Sequence, residues 1–126
     1  VDMGHNHGAK IMFHSCWSIM PLVDRLLDIG IDILDPLQVS AEGMDVRTLK
    51  NKWGARLCLH GSIDTQHLLP LASPREVRET VRHMCDVLGR GGGFILSPTH
   101  VLQTDVPTEN IVALYDEGFD YGSSIY

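Results

Sequence analysis

His14 and Cys16 stand two residues apart, just beyond the apolar run 10–13. In an extended segment, side chains at i and i+2 project to one side, so an imidazole nitrogen and a thiolate there could hold one metal ion. Zinc suits the pair, because it accepts nitrogen and sulfur tetrahedrally and its catalytic sites leave a fourth position for water or substrate. His100, beyond the apolar run 93–96, offers a third donor, giving the expected ligand set His14, Cys16 and His100. The competing reading makes His14 a hydrogen-bonded polar residue, Cys16 a small buried hydrophobe and His100 a loop residue.

Further polar groups follow two other apolar runs. Asp35 and Gln38 come after 31–34, and His60, Asp64 and Gln66 come after 57–59. Asp35, Gln38, His60 and Gln66 are expected to bind substrate. Asp64 and His100 are the expected catalytic residues, Asp64 as a general base or a hydrogen-bond acceptor, although a loop carboxylate that caps a helix would look the same. The pair His5 and His7 precedes the first run and is read as a solvated terminal segment. The glycines 91–93 end a helix and precede a strand, the reverse of a phosphate cradle, in which glycines follow a strand and open a helix. Cys58 and Cys85 fall on core positions and read as packing residues.

Positioning these groups on one face requires a particular order of elements. Apolar strands are expected at 10–13, 31–34, 57–59 and 93–96. Each is followed by helical spacing: Leu22, Leu26 and Ile29 before Gly30; Val46, Leu49, Lys50 and Trp53 before Gly54; Val77, Val81, Met84, Cys85 and Leu88; and Ile111, Leu114 and Tyr115 within 107–117. The third helix opens on a capping box, with Ser73 three residues before Glu76 and Pro74 at its first position. Four βα units with continuously apolar strands specify a parallel sheet covered by helices. Either a doubly wound sheet or a parallel (βα)4 half of a (β/α)8 barrel fits, and both gather polar chemistry at the strands' C-terminal ends.

The chain has 126 residues, 44% hydrophobic and 21% charged, which suits one globular domain. A complete (β/α)8 barrel needs about 250. Ten Lys and Arg against sixteen Asp and Glu leave a formal charge of -6, which argues against nucleic acid or an anionic membrane as partner. Three cysteines at spacings unlike a disulfide framework, with no apolar run near membrane-spanning length and no secretory signal at the start, point to a reduced, cytoplasmic protein. Opening on Val1 within a polar segment, the chain reads as part of a longer gene product.

Five stretches, 10–16, 29–38, 60–66, 92–100 and 105–111, resemble the C-terminal half of the uroporphyrinogen decarboxylase superfamily. The resemblance covers nearly the whole chain and implies a (β/α)8 barrel, of which residues 1–126 form a single partial domain. That superfamily includes haem-pathway decarboxylases, which are lyases, and zinc-dependent methyltransferases that move a methyl group between a corrinoid and a thiol such as coenzyme M. In the methyltransferase branch a His-x-Cys motif and a later Cys hold zinc. His14 and Cys16 match the first two, and His100 falls about where the later Cys would be. The decarboxylase branch carries a His near the substrate in the same region, which His100 resembles equally. Trp17 departs from the Gly common in relatives and places a bulky ring at the mouth.

No Lys or Arg of this chain falls at a strand C-terminal end, so this half supplies no clamp for the eight carboxylates of uroporphyrinogen. The expected function is therefore zinc-dependent methyl transfer to a thiol, with a corrinoid as methyl donor. The alternatives are a porphyrinogen-type decarboxylase and a non-catalytic half-barrel that needs an N-terminal partner. Expected partners are a small-molecule substrate, the missing N-terminal half-barrel or a second copy of the chain, and a corrinoid protein.

Overall fold

The computed structural model describes residues 1–125. Four parallel strands, β1 (Met12–His14), β2 (Ile33–Leu37), β3 (Cys58–Ile63) and β4 (Phe94–Pro98), form one sheet in the order β1-β2-β3-β4. A doubly wound sheet reverses its strand order at a switch point. Here the order is sequential throughout, so successive right-handed crossovers put the helices that join the strands on one face. This is a parallel (βα)4 half of a (β/α)8 barrel.

The helices are α1 (Asp2–Asn6), α2 (Val23–Ile29), α3 (Val46–Trp53), the short α4 (Leu68–Leu71), α5 (Pro74–Met84) and α6 (Thr108–Asp120). Local chemistry fixes their ends. The Asp45 side chain accepts from the Thr48 N–H to start α3, and Ser73 and Glu76 close the anticipated capping box at α5. Gly30 ends α2 at φ 95°, a left-handed turn that glycine adopts without strain.

The core lies between the sheet and the helices. Register aligns Phe13, Leu34, Leu59 and Phe94 in one row across all four strands. Leu34 and Leu59 of that row are wholly buried against Val23, Leu49, Val77, Val81, Leu88 and Leu114. The next row, His14, Asp35, His60 and Ile95, points to the opposite face, as alternation along a strand requires. In a closed barrel that face is the interior. Here Met12 and Ile95 on it are 46% and 42% exposed.

Several element boundaries differ from those read off the sequence. All four strands extend beyond their apolar runs: β1 takes in His14, β2 runs through Asp35 to Leu37, β3 runs through His60 to Ile63, and β4 runs through Ser97 to Pro98. Polar residues were read as strand stops, yet on a barrel's interior face they alternate with core residues without breaking the ladder. In α2 the buried side chains are Val23 and Leu26, joined by Ile19, whereas Leu22 and Ile29 are exposed. The helix begins after a 3-10 turn at Met20–Leu22, which rotates its face relative to a helix started at Pro21. In α6 the buried positions are Asn110, Ala113, Leu114 and Glu117, and Tyr115 faces solvent. Asn110 and Glu117 bury because they have partners: the Asn110 amide donates to the carbonyls of Leu69 and Ala72, and Glu117 accepts from Arg78 and Arg82. The α5 stripe holds as read, with Cys85 and Leu88 carried on a π-helical turn. Among the described residues no helix is long and apolar enough to cross a membrane.

Candidate metal centre

β1 ends on His14, and the chain then leaves the sheet with the Ser15 N–H still donating to the Asp35 carbonyl at 2.8 Å. That bond extends β1–β2 pairing by one residue and holds the segment between His14 and Cys16. His14 Nε2 and Cys16 Sγ lie 3.0 Å apart. His100, two residues past β4, brings a third donor. One ligand atom from each of His14, Cys16 and His100 falls within 4.8 Å of the others, and the rings of His14 and His100 meet edge to face with centroids 6.3 Å apart. The three residues singled out by type and spacing are thus brought together.

The donor set fits zinc. Two imidazole nitrogens and a thiolate form a nitrogen–sulfur set that zinc binds tetrahedrally, with ligand atoms about 3.5 Å from one another. The observed spread needs side-chain movement of about 1 Å to reach that separation. Three protein donors leave a fourth position, the composition of a catalytic zinc site. His14 also has the carboxylate partner that metal-bound histidines usually carry: its Nδ1–H donates to Asp35 Oδ2 at 2.6 Å.

Asp35 is shared. Its other oxygen accepts from His60 Nδ1–H, also at 2.6 Å, so one carboxylate joins β1, β2 and β3 on the interior face. The one-residue irregularity of β2 between Leu34 and Leu37 lies at this point, where Pro36 has no N–H to give the ladder. Gly61 accommodates it. A side chain there would meet Leu37 N at 3.0 Å and Pro36 Cβ at 3.1 Å, and its φ of 108° suits glycine.

Two adjoining clefts share Thr99, His100 and Val101. One, of about 340 Å³, is walled by His14, Asp35, His60, Ser97 and Pro98. The other, of about 360 Å³, is walled by Cys16, Gln38, Thr65, Gln66, Gln103 and Asp105. Neither wall carries a Lys or Arg among the described residues. Gln38 Oε1 is buried without a hydrogen-bond partner.

Gln38, His60, Gln66 and Asp35 therefore line the clefts, and Asp64 does not. The Asp64 carboxylate accepts from the Gln66 N–H at 2.9 Å and from His67 Nδ1 at 3.0 Å, closing a local turn. Trp17 projects into solvent at 78% exposure and lines neither cleft. His5 lies at the opposite end of the strands, with Nε2 2.7 Å from Asp32. The buried hydroxyls of Thr65 and Thr99, 3.2 Å apart, escaped the sequence reading. Their position directly after β3 and at the end of β4 was the available signal.

All three cysteines are free. Burial raises the pKa of the Cys58 and Cys85 thiols, as suits packing residues. Cys16 is the one beside imidazoles.

A family model described as uroporphyrinogen decarboxylase matches residues 2–119. No curated protein matches the sequence. Among solved structures, a methyltransferase from Methanosarcina mazei superposes with a TM-score of 0.74 at 16% identity. The match covers 95% of this chain and 34% of that one, so this chain spans well under half of the similar structure. At that identity the likeness speaks for the fold alone.

Proposed function

The chain belongs to the uroporphyrinogen decarboxylase family, and from that membership we propose that it is the C-terminal half of a (β/α)8 barrel whose zinc centre activates a thiol for methyl transfer. The observation that carries this reading is the approach of His14, Cys16 and His100 donor atoms to within 4.8 Å of one another at the strands' C-terminal ends. The Methanosarcina mazei methyltransferase shares the fold, and the donor set is what turns that likeness towards methyl transfer.

His14, Cys16 and His100 would hold the metal. When bound, zinc supplies Lewis-acid activation, keeping a substrate thiol as its thiolate near neutral pH. The chain's own residues do the rest. Asp35 orients His14; Gln38, Gln66 and Thr99 offer hydrogen bonds to the thiol's other groups; and His60 closes the floor of the smaller cleft. In the transfer a carbon–sulfur bond would form as the methyl group leaves its donor, and a corrinoid in that place would keep the electron pair. The thiol proton leaves to solvent. With the His100 imidazole in place of a second sulfur, the centre would be more positive than a two-thiolate site, which favours thiolate formation but tempers its nucleophilicity.

The remaining four βα units, supplied on an N-terminal segment or a second copy, would cover the open interior face and complete the pocket. A small thiol and a corrinoid protein are the other proposed partners.

Cobalt(II) in place of zinc gives a direct test. Adding 2-mercaptoethanesulfonate to the cobalt-loaded chain is expected to strengthen the sulfur-to-cobalt charge-transfer absorption as a second sulfur binds. An unchanged spectrum at saturating thiol overturns the reading. Carbon dioxide release from a porphyrinogen by metal-free protein would support decarboxylation instead.

A further inference from the structure

We propose that Asp35 is the positioning residue of the centre: it locks His14 and His60 as Nδ1–H tautomers and ties down the main chain between the ligands, so that His14 presents Nε2 to the metal. The inference rests on the proposed metal centre for its consequence, though not for its first observable.

Which imidazole nitrogen is free to bind a metal is decided by the hydrogen bond that the other makes. At His14 that bond runs from Nδ1 to Asp35 Oδ2 at 2.6 Å, a charge-assisted length. Nε2 is left as a lone pair, and it faces Cys16 Sγ at 3.0 Å, aimed at the other ligand. Asp35 also acts through its backbone, because its carbonyl receives the Ser15 N–H at 2.8 Å. One residue thus fixes the ring of the first ligand and the peptide that leads to the second.

The bond from His60 completes the restraint. With Oδ1 accepting from His60 Nδ1 at 2.6 Å, the carboxylate is held from both sides and cannot rotate away from His14. Its side chain is 15% exposed, so water competes weakly for either oxygen. Both oxygens are engaged in these bonds, which assigns Asp35 to supporting the centre rather than to binding substrate. His60 follows as part of the same support, its ring held with Nε2 turned away from the carboxylate.

Two readouts test this. In the metal-free chain, long-range 15N–1H spectra of the imidazoles are expected to show His14 and His60 as Nδ1–H tautomers, whereas a free imidazole in water favours Nε2–H. Zinc affinity, measured by competition with a chromogenic chelator, is expected to fall about 10–100-fold in Asp35→Ala. Asp35→Asn, which keeps the size of the side chain, is expected to lose less. Asp32→Asn, one residue before the same strand and at its opposite end, serves as the stability control and should bind zinc like the unaltered chain. Nε2–H tautomers at His14 in the unaltered chain overturn the proposal, as does Asp35→Ala binding zinc with undiminished affinity. Failure of the unaltered chain to bind zinc would overturn the proposed function while the tautomers still decide the role of Asp35.

Discussion

Gly61 shows how closely the interior face is built around individual residues. It sits where β3 passes the irregular stretch of β2, with a φ of 108° and Pro36 Cβ 3.1 Å from the place a side chain would occupy. Gly61→Ala combines left-handed strain with a clash against main chain, and is expected to cost about 3 kcal/mol in urea unfolding. A loss below 0.5 kcal/mol would mean that the two strands separate easily. The proposed ligands His14 and Cys16 were legible in the sequence because residue type and i, i+2 spacing carry most of the information about them. Asp35 was legible as a site residue but not in its role. Its partners, His14 and His60, come from neighbouring strands, and only register reveals that one carboxylate lies between them.

At the scale of elements, the α5–α6 contact depends on a carboxylate. Glu117 is 6% exposed and accepts from Arg82 at 2.5 Å and Arg78 at 3.3 Å. Arg82, with Arg78 beside it, holds the Glu117 carboxyl below the usual carboxylate range. A carboxyl whose pKa is lower folded than unfolded adds stability that is complete above its unfolded value, about 4.3, and is lost as pH falls through its folded value. Glu117→Gln is therefore expected to cost about 2 kcal/mol at pH 7. The gap between variant and unaltered chain should narrow on acidification from pH 5 towards 3. A gap that is constant with pH would show that packing, not charge, makes the contact. This pair also explains an error of pattern reading. Hydrophobicity alone put Ile111, Leu114 and Tyr115 towards the core, but a buried Asn and Glu with partners turn α6 so that Tyr115 faces outwards. The order of elements was legible because each helix carries its own caps and stripe. Strand ends were not, since polarity marks a strand stop and a barrel interior alike.

For the whole molecule, the open interior face and the two sheet edges, β1 and β4, dominate behaviour. Unpaired edges invite pairing with another chain, and exposed Met12 and Ile95 add apolar surface. Sedimentation velocity is expected to show concentration-dependent association of the chain alone, suppressed when a complementary half-barrel is supplied. A monodisperse monomer at all concentrations would mean that the face is stable in water as it stands. The half-barrel was legible from four βα units in a length near half that of a full barrel. The residue pattern by itself fits a doubly wound sheet as well; the family resemblance pointed to the half-barrel, and the sequential strand order, which no local pattern encodes, shows it.

The claim on which the rest depends is that His14, Cys16 and His100 hold one metal ion. Elemental analysis of the purified chain beside Cys16→Ser, each dialysed after exposure to zinc, tests it most directly. The account expects close to one zinc per unaltered chain and a large loss in the variant. Zinc absent from both, or bound equally by both, would contradict it.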